Sequence, residues 1–565
     1  MKKVLYFIGI CGLALLMGAC NGKSGDDAPT KPVITTSVKN VDQTRILEAA
    51  DQTMEIEVLI EVQSGTVTEA LTPVLKVDES AVAIYNAAHP DAEAIILPAT
   101  AYDLEERAFA IARGGKQSAT TLTLINKGLE ENKLYVVPVT IDKMEGSSNW
   151  KLADAPQSFV TVKYVPTTQD GTAENPYLIF TVDNLEAMSG KLKDGEKIYF
   201  ELRADIDMKD VEWTPLNYAA PYAKGIDFNG NGHTLSNFYC NYASYPSFFG
   251  VLNGDCYDVN FVNAKVEDTG NARVGILGGY CGTGDIAGYV YRTHIQGEND
   301  HTHSSKYGAG GFFAYLANGG MYGCSADVVV KSKLNNAGGL VGYCGKYAII
   351  RDCWSTGTVY GNQRVGGIVG GTDGKDDPSI PIQIARCYST ATLHGAFAVG
   401  GIAGFLNKAD NAAGSPKTNT PGNKVEYCIA WNKEIRANYD AVNDVPGTPV
   451  ADDKSHYSCG AVVGYTAIQN YLTDCKRNPA MKYNEAIFFD YSSGVFSLYD
   501  QENASPASPL VITAVEEANH NYPYHGKAAA AGQTLSQVAQ SLGWSDKIWD
   551  FSKDVPTILP TAFKD

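Results

Sequence analysis

Six short segments of this chain repeat one pattern: a small residue, two apolar residues, a second small residue. They are Gly275-Ile276-Leu277-Gly278, Gly311-Phe312-Phe313-Ala314, Gly339-Leu340-Val341-Gly342, Gly367-Ile368-Val369-Gly370, Gly401-Ile402-Ala403-Gly404 and Ala461-Val462-Val463-Gly464. Their starts lie 36, 28, 28, 34 and 60 residues apart. A bare unit of 28 recurs, and the longer intervals hold insertions or a decayed second unit. Cysteines keep step with this series. Cys324, Cys353 and Cys475 follow their segments by 13, 14 and 14 residues, and Cys387 and Cys428 by 20 and 27. The excess falls in polar stretches such as 371–381 and 407–424. Two features that hold register across unequal insertions require stacked coils that expel extra residues as loops. Parallel coils place equivalent side chains ~4.8 Å apart. Glycine suits a tight coil corner, and cysteine a small apolar interior ladder. The pattern predicts a parallel β-solenoid over residues 170–500.

Composition agrees. The chain has 56 Gly and 33 Tyr against 8 Met, a balance of strands and turns rather than a helical bundle. With 44% hydrophobic residues it is no disordered acidic chain, and a net charge of −18 excludes nucleic acid as a partner. A solenoid needs closed ends. The segments 181–192 and 534–542 read as short amphipathic helical caps. In the second, Thr534 and Gln537 form a capping box, with Leu535, Val538, Ala539 and Leu542 as the apolar stripe. Residues 501–565 are assigned as a C-terminal capping segment, with Trp544 and Trp549 packing.

Gly339-Leu340-Val341-Gly342 reads as the GLUG motif itself, and the other five segments as variants. The run Gly171-Thr172-Ala173-Glu174-Asn175-Pro176-Tyr177, then Asp205-Ile206-Asp207, Trp213 and Phe228-Asn229-Gly230-Asn231-Gly232-His233-Thr234, resembles the opening of GLUG proteins. This resemblance covers about 330 residues. It implies a right-handed parallel β-helix on a bacterial surface, with a role in adhesion or glycan contact.

The N-terminus carries a second address. Lys2-Lys3 precede an apolar stretch from Val4 to Met17, too short to span ~30 Å of hydrocarbon but fitting a signal peptide. Met17-Gly18-Ala19-Cys20 resembles a bacterial lipobox, with Met in place of the usual Leu. That resemblance implies removal of residues 1–19, acylation of Cys20 and anchoring to the lipid bilayer. Residues 20–32 form a polar tether, in which Asp26-Asp27 resembles the export signal of Bacteroidetes surface lipoproteins. The expected location is the outer membrane, lipid-anchored and facing outward.

Residues 33–165 alternate as strands do. Met54, Ile56, Val58, Ile60 and Val62 are apolar, with glutamates between most of them. Further strand-like runs at 120–125, 134–141 and 158–164, with one short helix near 79–86, predict an immunoglobulin-like β-sandwich. The stretch 77–86, Leu97-Pro98, Tyr102 and Tyr135–Val139 resembles the N-terminal domain of unknown function in Bacteroidetes surface lipoproteins of glycan-uptake loci. It carries no catalytic constellation and reads as a spacer. The whole chain is then all-β: a sandwich followed by a solenoid with helical caps.

Candidate chemistry is sparse. If the cysteine ladder points inward, the next residues point outward. Tyr257, Trp354 and Tyr388 hold that place, with Trp431 outward by parity, and such a column offers sugar-stacking platforms. The ten cysteines after Cys20 lack any CxxC pair, and stacked positions lie farther apart than a relaxed disulfide allows, which favours buried free thiols. His294, His301 and His303 with Glu298 and Asp300, and the trio Asp373, Asp376 and Asp377, lack a completed metal-ligand set; no metal or cofactor is expected. Asp352 and Asp474 precede ladder cysteines without forming an acidic row. Three roles follow in order: non-catalytic glycan binding in polysaccharide capture, alongside outer-membrane glycan transporter components; an adhesin or structural protein binding host proteins or cells; and a β-helix polysaccharide lyase or hydrolase.

Overall fold

The computed structural model describes residues 31–564, apart from 39–42, 221, 271–272, 302–307, 346, 373–381, 407–422, 437–438, 441–444, 447–458, 467–471 and 484–524. Two compact units divide the chain: residues to 48 with 54–165, and 49–53 with 166–565.

The first unit holds two five-member sheet arrangements. One runs Tyr102–Leu104, Gln117–Ile125, Thr53–Ser64, Val33–Val38, Lys151–Leu152. The other runs Arg45–Leu47, Ser158–Tyr164, Leu134–Glu145, Thr72–Val77, with Ile95–Ile96 beside Leu134–Glu145. In Thr53–Ser64 the even residues Ile56, Val58, Ile60 and Val62 are buried while Glu55 and Glu57 are exposed, the alternation of a half-buried strand. Ile34, Leu122, Val137, Val139 and Val160 complete that core. The helix α1 (Val82–Ala88) follows a short 3₁₀ turn, Glu79–Ala81, capped by the Asp78 carboxylate.

The second unit is a parallel solenoid with three strand columns. The first column stacks ten strands, from Tyr177–Ile179 through Gly254–Tyr257, Gly288–Tyr291, Gly319–Tyr322 and Ala348–Arg351 to Leu472–Thr473. The second carries the long strands Asn260–Asp268, His294–His301, Ser325–Gly338, Trp354–Gly366 and Thr392–Gly400. The third stacks seven, among them Gly278–Cys281, Phe313–Leu316, Val341–Cys344, Val369–Thr372, Ala403–Leu406 and Val463–Thr466. At the solenoid's start the helix α2 (Val182–Lys191) is capped by the Thr181 hydroxyl and buries Leu185 and Met188 in the main core.

Strand pairing sharpens the repeat. Gly275 pairs with Gly310, not Gly311, so the first segment stands one residue out of the register read from the sequence. The 60-residue interval is one coil with an insertion, because Gly400 pairs with Gly460 and Ala403 with Val463. Apolar pairs from every repeat, Leu277, Phe312, Leu340, Ile368, Ile402 and Val462, form one continuous interior. The small residues are there because the chain approaches itself. A Cβ on Gly367 would lie 2.1 Å from the Gly401 carbonyl oxygen and 2.3 Å from the Ser389 hydroxyl.

The cysteine ladder also stands. Cys324, Cys353, Cys387, Cys428 and Cys475 occupy one corner, all free and buried, and each backbone carbonyl accepts from the next coil. The Cys324, Cys387, Cys428 and Cys475 thiols donate back to carbonyls of the preceding coil, 3.3–3.6 Å away. Burial pushes the Cys353 and Cys428 thiols well up. The residue before each corner has a left-handed backbone: Asp258, Arg292, Gly323, Asp352, Arg386, Tyr427 and Asp474 all have positive φ. For Arg and Tyr this conformation is strained, and the stack imposes it.

Gly367→Ala is expected to lower stability by about 1–3 kcal/mol or more, since backbone atoms must move. Gly190→Ala, inside α2 with open space around it, should raise stability by about 0.5–1 kcal/mol. Thermal denaturation of both variants checks this. A second expectation concerns His525, whose Nδ1 accepts from the Ala461 N–H at 3.2 Å. Burial, helped by Arg477, pushes its pKa down to about 3. The folded state resists its protonation, so this contribution is complete above the ordinary value near 6.5 and shrinks as pH falls from there toward 3. Melting temperatures across that window should fall more steeply for the native chain than for His525→Asn.

Candidate functional site

Of the residues singled out from the sequence, Cys20, Asp26, Asp27, His303, Asp373, Asp376 and Asp377 lie outside the described residues. His294 and His301 do not converge. They end the same eight-residue strand, about 23 Å apart at ~3.3 Å per residue. His294 faces Trp354 and the Ser325 hydroxyl, and His301 is buried beside Asp268. Among the described residues no cluster of three or more metal-ligating side chains occurs, and no helix is long and apolar enough to cross a membrane.

The expected open aromatic column is corrected. Trp354, Tyr388 and Trp431 do follow their ladder cysteines outward, but the C-terminal segment covers Tyr388 and packs against Trp354 and Trp431, which stay half-buried. Tyr388 is only 1% exposed, stacked on Trp354 at 5.8 Å and packed against Trp544 and Trp549. The helix α3 (Leu535–Ser541) has the capping box expected, and buries Leu535, Val538 and Ala539 against this column. It therefore lies along the flank of the coils rather than across their end.

Polar anchors fix the clasp to the left-handed corner. Trp549 Nε1 donates to Asp352 Oδ1 at 3.0 Å, Trp544 Nε1 to the Tyr427 carbonyl at 2.9 Å, and the Tyr388 hydroxyl to the Pro556 carbonyl at 2.9 Å. Arg292 donates to the Ala562 and Phe563 carbonyls. Two forked ion pairs, Arg292 with Asp258 and Arg386 with Asp352, join neighbouring coils at the same corner. Asp352 and its neighbours on this corner thus serve structure.

Tyr257 alone of the four stays outside the clasp. It is half-buried, and its register partners are Tyr291 and then Tyr322. Burial, the Asp227 charge and a hydrogen bond to Asp227 push its phenol well up. Beside it the structure assembles a group that sequence reading left scattered. Asp227 and Asp255 are register partners on adjacent coils, and the Lys197 ammonium lies 3.0 Å from the first and 2.5 Å from the second. Burial raises the Asp227 pKa despite Lys197. For Lys197 burial opposes the charge, but hydrogen bonds to both carboxylates prevail and push its pKa up. A shallow groove of about 370 Å³ borders this group, lined also by Asn253, Ile286 and Tyr289.

A second and larger groove, about 480 Å³, lies on the third strand column and is lined by Tyr222, Tyr245, Tyr280, Tyr315 and Tyr347 with Thr283 and Asp285. Its floor follows from the repeat. Cys281, Leu316 and Cys344 point into the core, so the tyrosines just before them, Tyr280, Tyr315 and Tyr343, point out in register, the first two edge-to-face and the last two stacked. Ring centroids are 5.3 Å apart for Tyr245–Tyr280 and Tyr280–Tyr315, and 5.6 Å for Tyr315–Tyr343. The Arg273 guanidinium lies 4.3 Å from the Tyr280 ring. Gly371 interrupts the column, and beyond it Phe405 is buried under Arg364. The signal was present in the sequence: an aromatic follows the closing small residue in Gly279-Tyr280, Ala314-Tyr315, Gly342-Tyr343, Gly404-Phe405 and Gly464-Tyr465.

A family model described as "-like, N-terminal domain" matches residues 29–148. A protein of Evansella cellulosilytica, provisionally named a Gly-rich membrane protein, is 35% identical over 91 residues, 15% of this chain and 10% of that protein. The match thus spans about a tenth of the relative's length. A Bacteroides ovatus structure provisionally assigned as an immunoglobulin A1 protease has 23% identity and a TM-score of 0.44, over 69% of this chain and 94% of its own. The structure of EndoBT-3987 of Bacteroides thetaiotamicron with Man5GlcNAc product has 17% identity and a TM-score of 0.21, over 36% and 53% of the two chains.

Trp549→Ala removes a buried ring and leaves Asp352 without one donor, so a loss of about 3–5 kcal/mol is expected. Chemical denaturation monitored by tryptophan fluorescence checks it; a loss within about 0.5 kcal/mol, the range of ordinary surface changes, would place the clasp elsewhere.

Proposed function

We propose that this chain is a lipid-anchored surface protein that binds glycan without cleaving it, using the tyrosine groove of its solenoid. Acylated Cys20 holds it in the outer membrane, Asp26 and Asp27 direct it outward, and the N-terminal sandwich acts as a spacer. The observation that carries the binding role is the in-register pair Tyr280 and Tyr315, opened into a groove by Tyr222, Tyr245 and Tyr347. Phenol rings offer flat apolar faces at low entropic cost, which suits the C–H face of a pyranose, while their hydroxyls, Thr283 and Asp285 meet its hydroxyls. Aromatics at a surface gain meaning when contiguous, and these half-buried rings, with Tyr347 exposed, line one groove. The lipoprotein-like start and the resemblance to glycan-locus proteins support the same reading.

The register pair Asp227 and Asp255 favours a second reading, glycan hydrolysis, since paired carboxylates on one strand face are what that chemistry uses. A glycan array with the soluble mature chain (Cys20→Ala), followed by calorimetry, separates the readings. Tyr280→Ala and Tyr315→Ala should each weaken binding about tenfold, ~1.4 kcal/mol, with new reducing ends absent. Retention of no glycan would overturn the proposal. Binding to host protein unaffected by competing sugar would replace it with an adhesin. Reducing ends that vanish in Asp227→Asn would replace it with an enzyme.

A further inference from the structure

Both grooves border the same short turn, residues 282–287. Gly282, Thr283, Gly284 and Asp285 line the tyrosine groove, whereas Ile286 and Ala287 line the groove beside Lys197 and Asp255. The turn closes on itself through reciprocal backbone bonds between Thr283 and Ile286, both 2.9 Å. Gly282 and Gly284 take left-handed backbones, and a Cβ on Gly282 would lie 2.0 Å from the Asn318 carbonyl oxygen, which keeps the ridge low. Asn253, almost wholly buried, ties the two sides: its amide donates to the Tyr222 carbonyl at 2.5 Å and its oxygen accepts from the Thr283 hydroxyl at 3.0 Å. On this turn Ile286 stands 46% exposed, between the tyrosine groove and a hollow in which Tyr289 is the one aromatic residue. Beyond it Tyr289 stacks beside Tyr291 at 6.3 Å.

Building on the glycan reading above, we infer that the two grooves form one continuous path for an extended, uncharged oligosaccharide that crosses the ridge over Ile286. Each groove alone has the volume of a pocket for one small ligand, so a chain that fills both is longer than a disaccharide. The tyrosines on one side and Tyr289 on the other supply stacking, and apolar Ile286 between them passes a sugar ring without stranding its hydroxyls. Asp255 and Asp285 present carboxylate oxygens to sugar hydroxyls. Lys197 is already neutralised by two carboxylates, and the chain carries −18 overall, so an anionic glycan meets repulsion. The ion pairs hold Lys197 and Asp255 in place before ligand arrives, which lowers the ordering cost.

The probes are neutral gluco-, manno-, galacto- and xylo-oligosaccharides from disaccharide to hexasaccharide, with oligogalacturonates as the charged series. Calorimetry uses the soluble mature chain, with melting temperature as the folding control. Affinity should rise about tenfold or more from disaccharide to hexasaccharide in a neutral series and stay low for galacturonates. Tyr289→Ala and Ile286→Glu should each remove most of the length-dependent gain while a disaccharide still binds at the tyrosines. If hexasaccharide binds no tighter than disaccharide, or both variants match the native chain while Tyr280→Ala loses affinity, the continuous path is wrong and the single groove stands. Tighter binding of galacturonates overturns the uncharged class. Binding of no probe in either series overturns the path together with the glycan reading.

Discussion

Close stacking of parallel coils is the constraint on which the rest of this molecule depends. Parallel strands hydrogen-bond at a fixed separation, so each coil must match its neighbour in backbone path whatever its loops do. That demand sets the small residues. At Gly338, Gly367 and Gly401 a single added carbon would meet a carbonyl oxygen of the same or next coil. It also sets the left-handed corner, where Asp, Arg, Gly and Tyr all accept one conformation because their neighbours hold it. Sequence variety at that corner is possible because the backbone there is shared and the side chains face out.

A solenoid held only by nearest-neighbour contacts gains and loses order coil by coil. Here the clasp changes that balance. Segment 534–563 touches residues from Arg292 to Tyr427, contacts that span several coils, and its tryptophans pack against the aromatic residues that follow the cysteines. Forked Asp–Arg pairs on the same corner link adjacent coils beneath it. Besides the phenylalanines of the interior, outward aromatic side chains of the solenoid form two groups: tryptophan-rich packing under the clasp, and a tyrosine column on the third strand face beside a groove.

Much of the solenoid was legible because its signals are periodic. Glycine-flanked apolar pairs and trailing cysteines report backbone crowding and interior volume, both of which recur once per coil. The one-residue offset at Gly275 is not legible in the sequence because that segment has Gly278 where its neighbours have Phe313 and Val341, so the small-residue pattern matches in two registers. Parity also stated correctly that Trp354 and Tyr388 face away from the interior. Exposure is another matter, because it depends on what packs from outside.

The amino-acid order alone determined the repeat, the inward ladder, the alternation of the N-terminal strands and the two helices with their caps, since each is set by local sterics and by side-chain period. Only the tertiary structure decided which outward aromatics are covered, that Asp227 and Asp255 share Lys197, and that two grooves meet at one turn. Those facts join residues tens to hundreds of positions apart. The cause is the winding of the chain, which brings distant segments to one surface and leaves no local pattern to announce it.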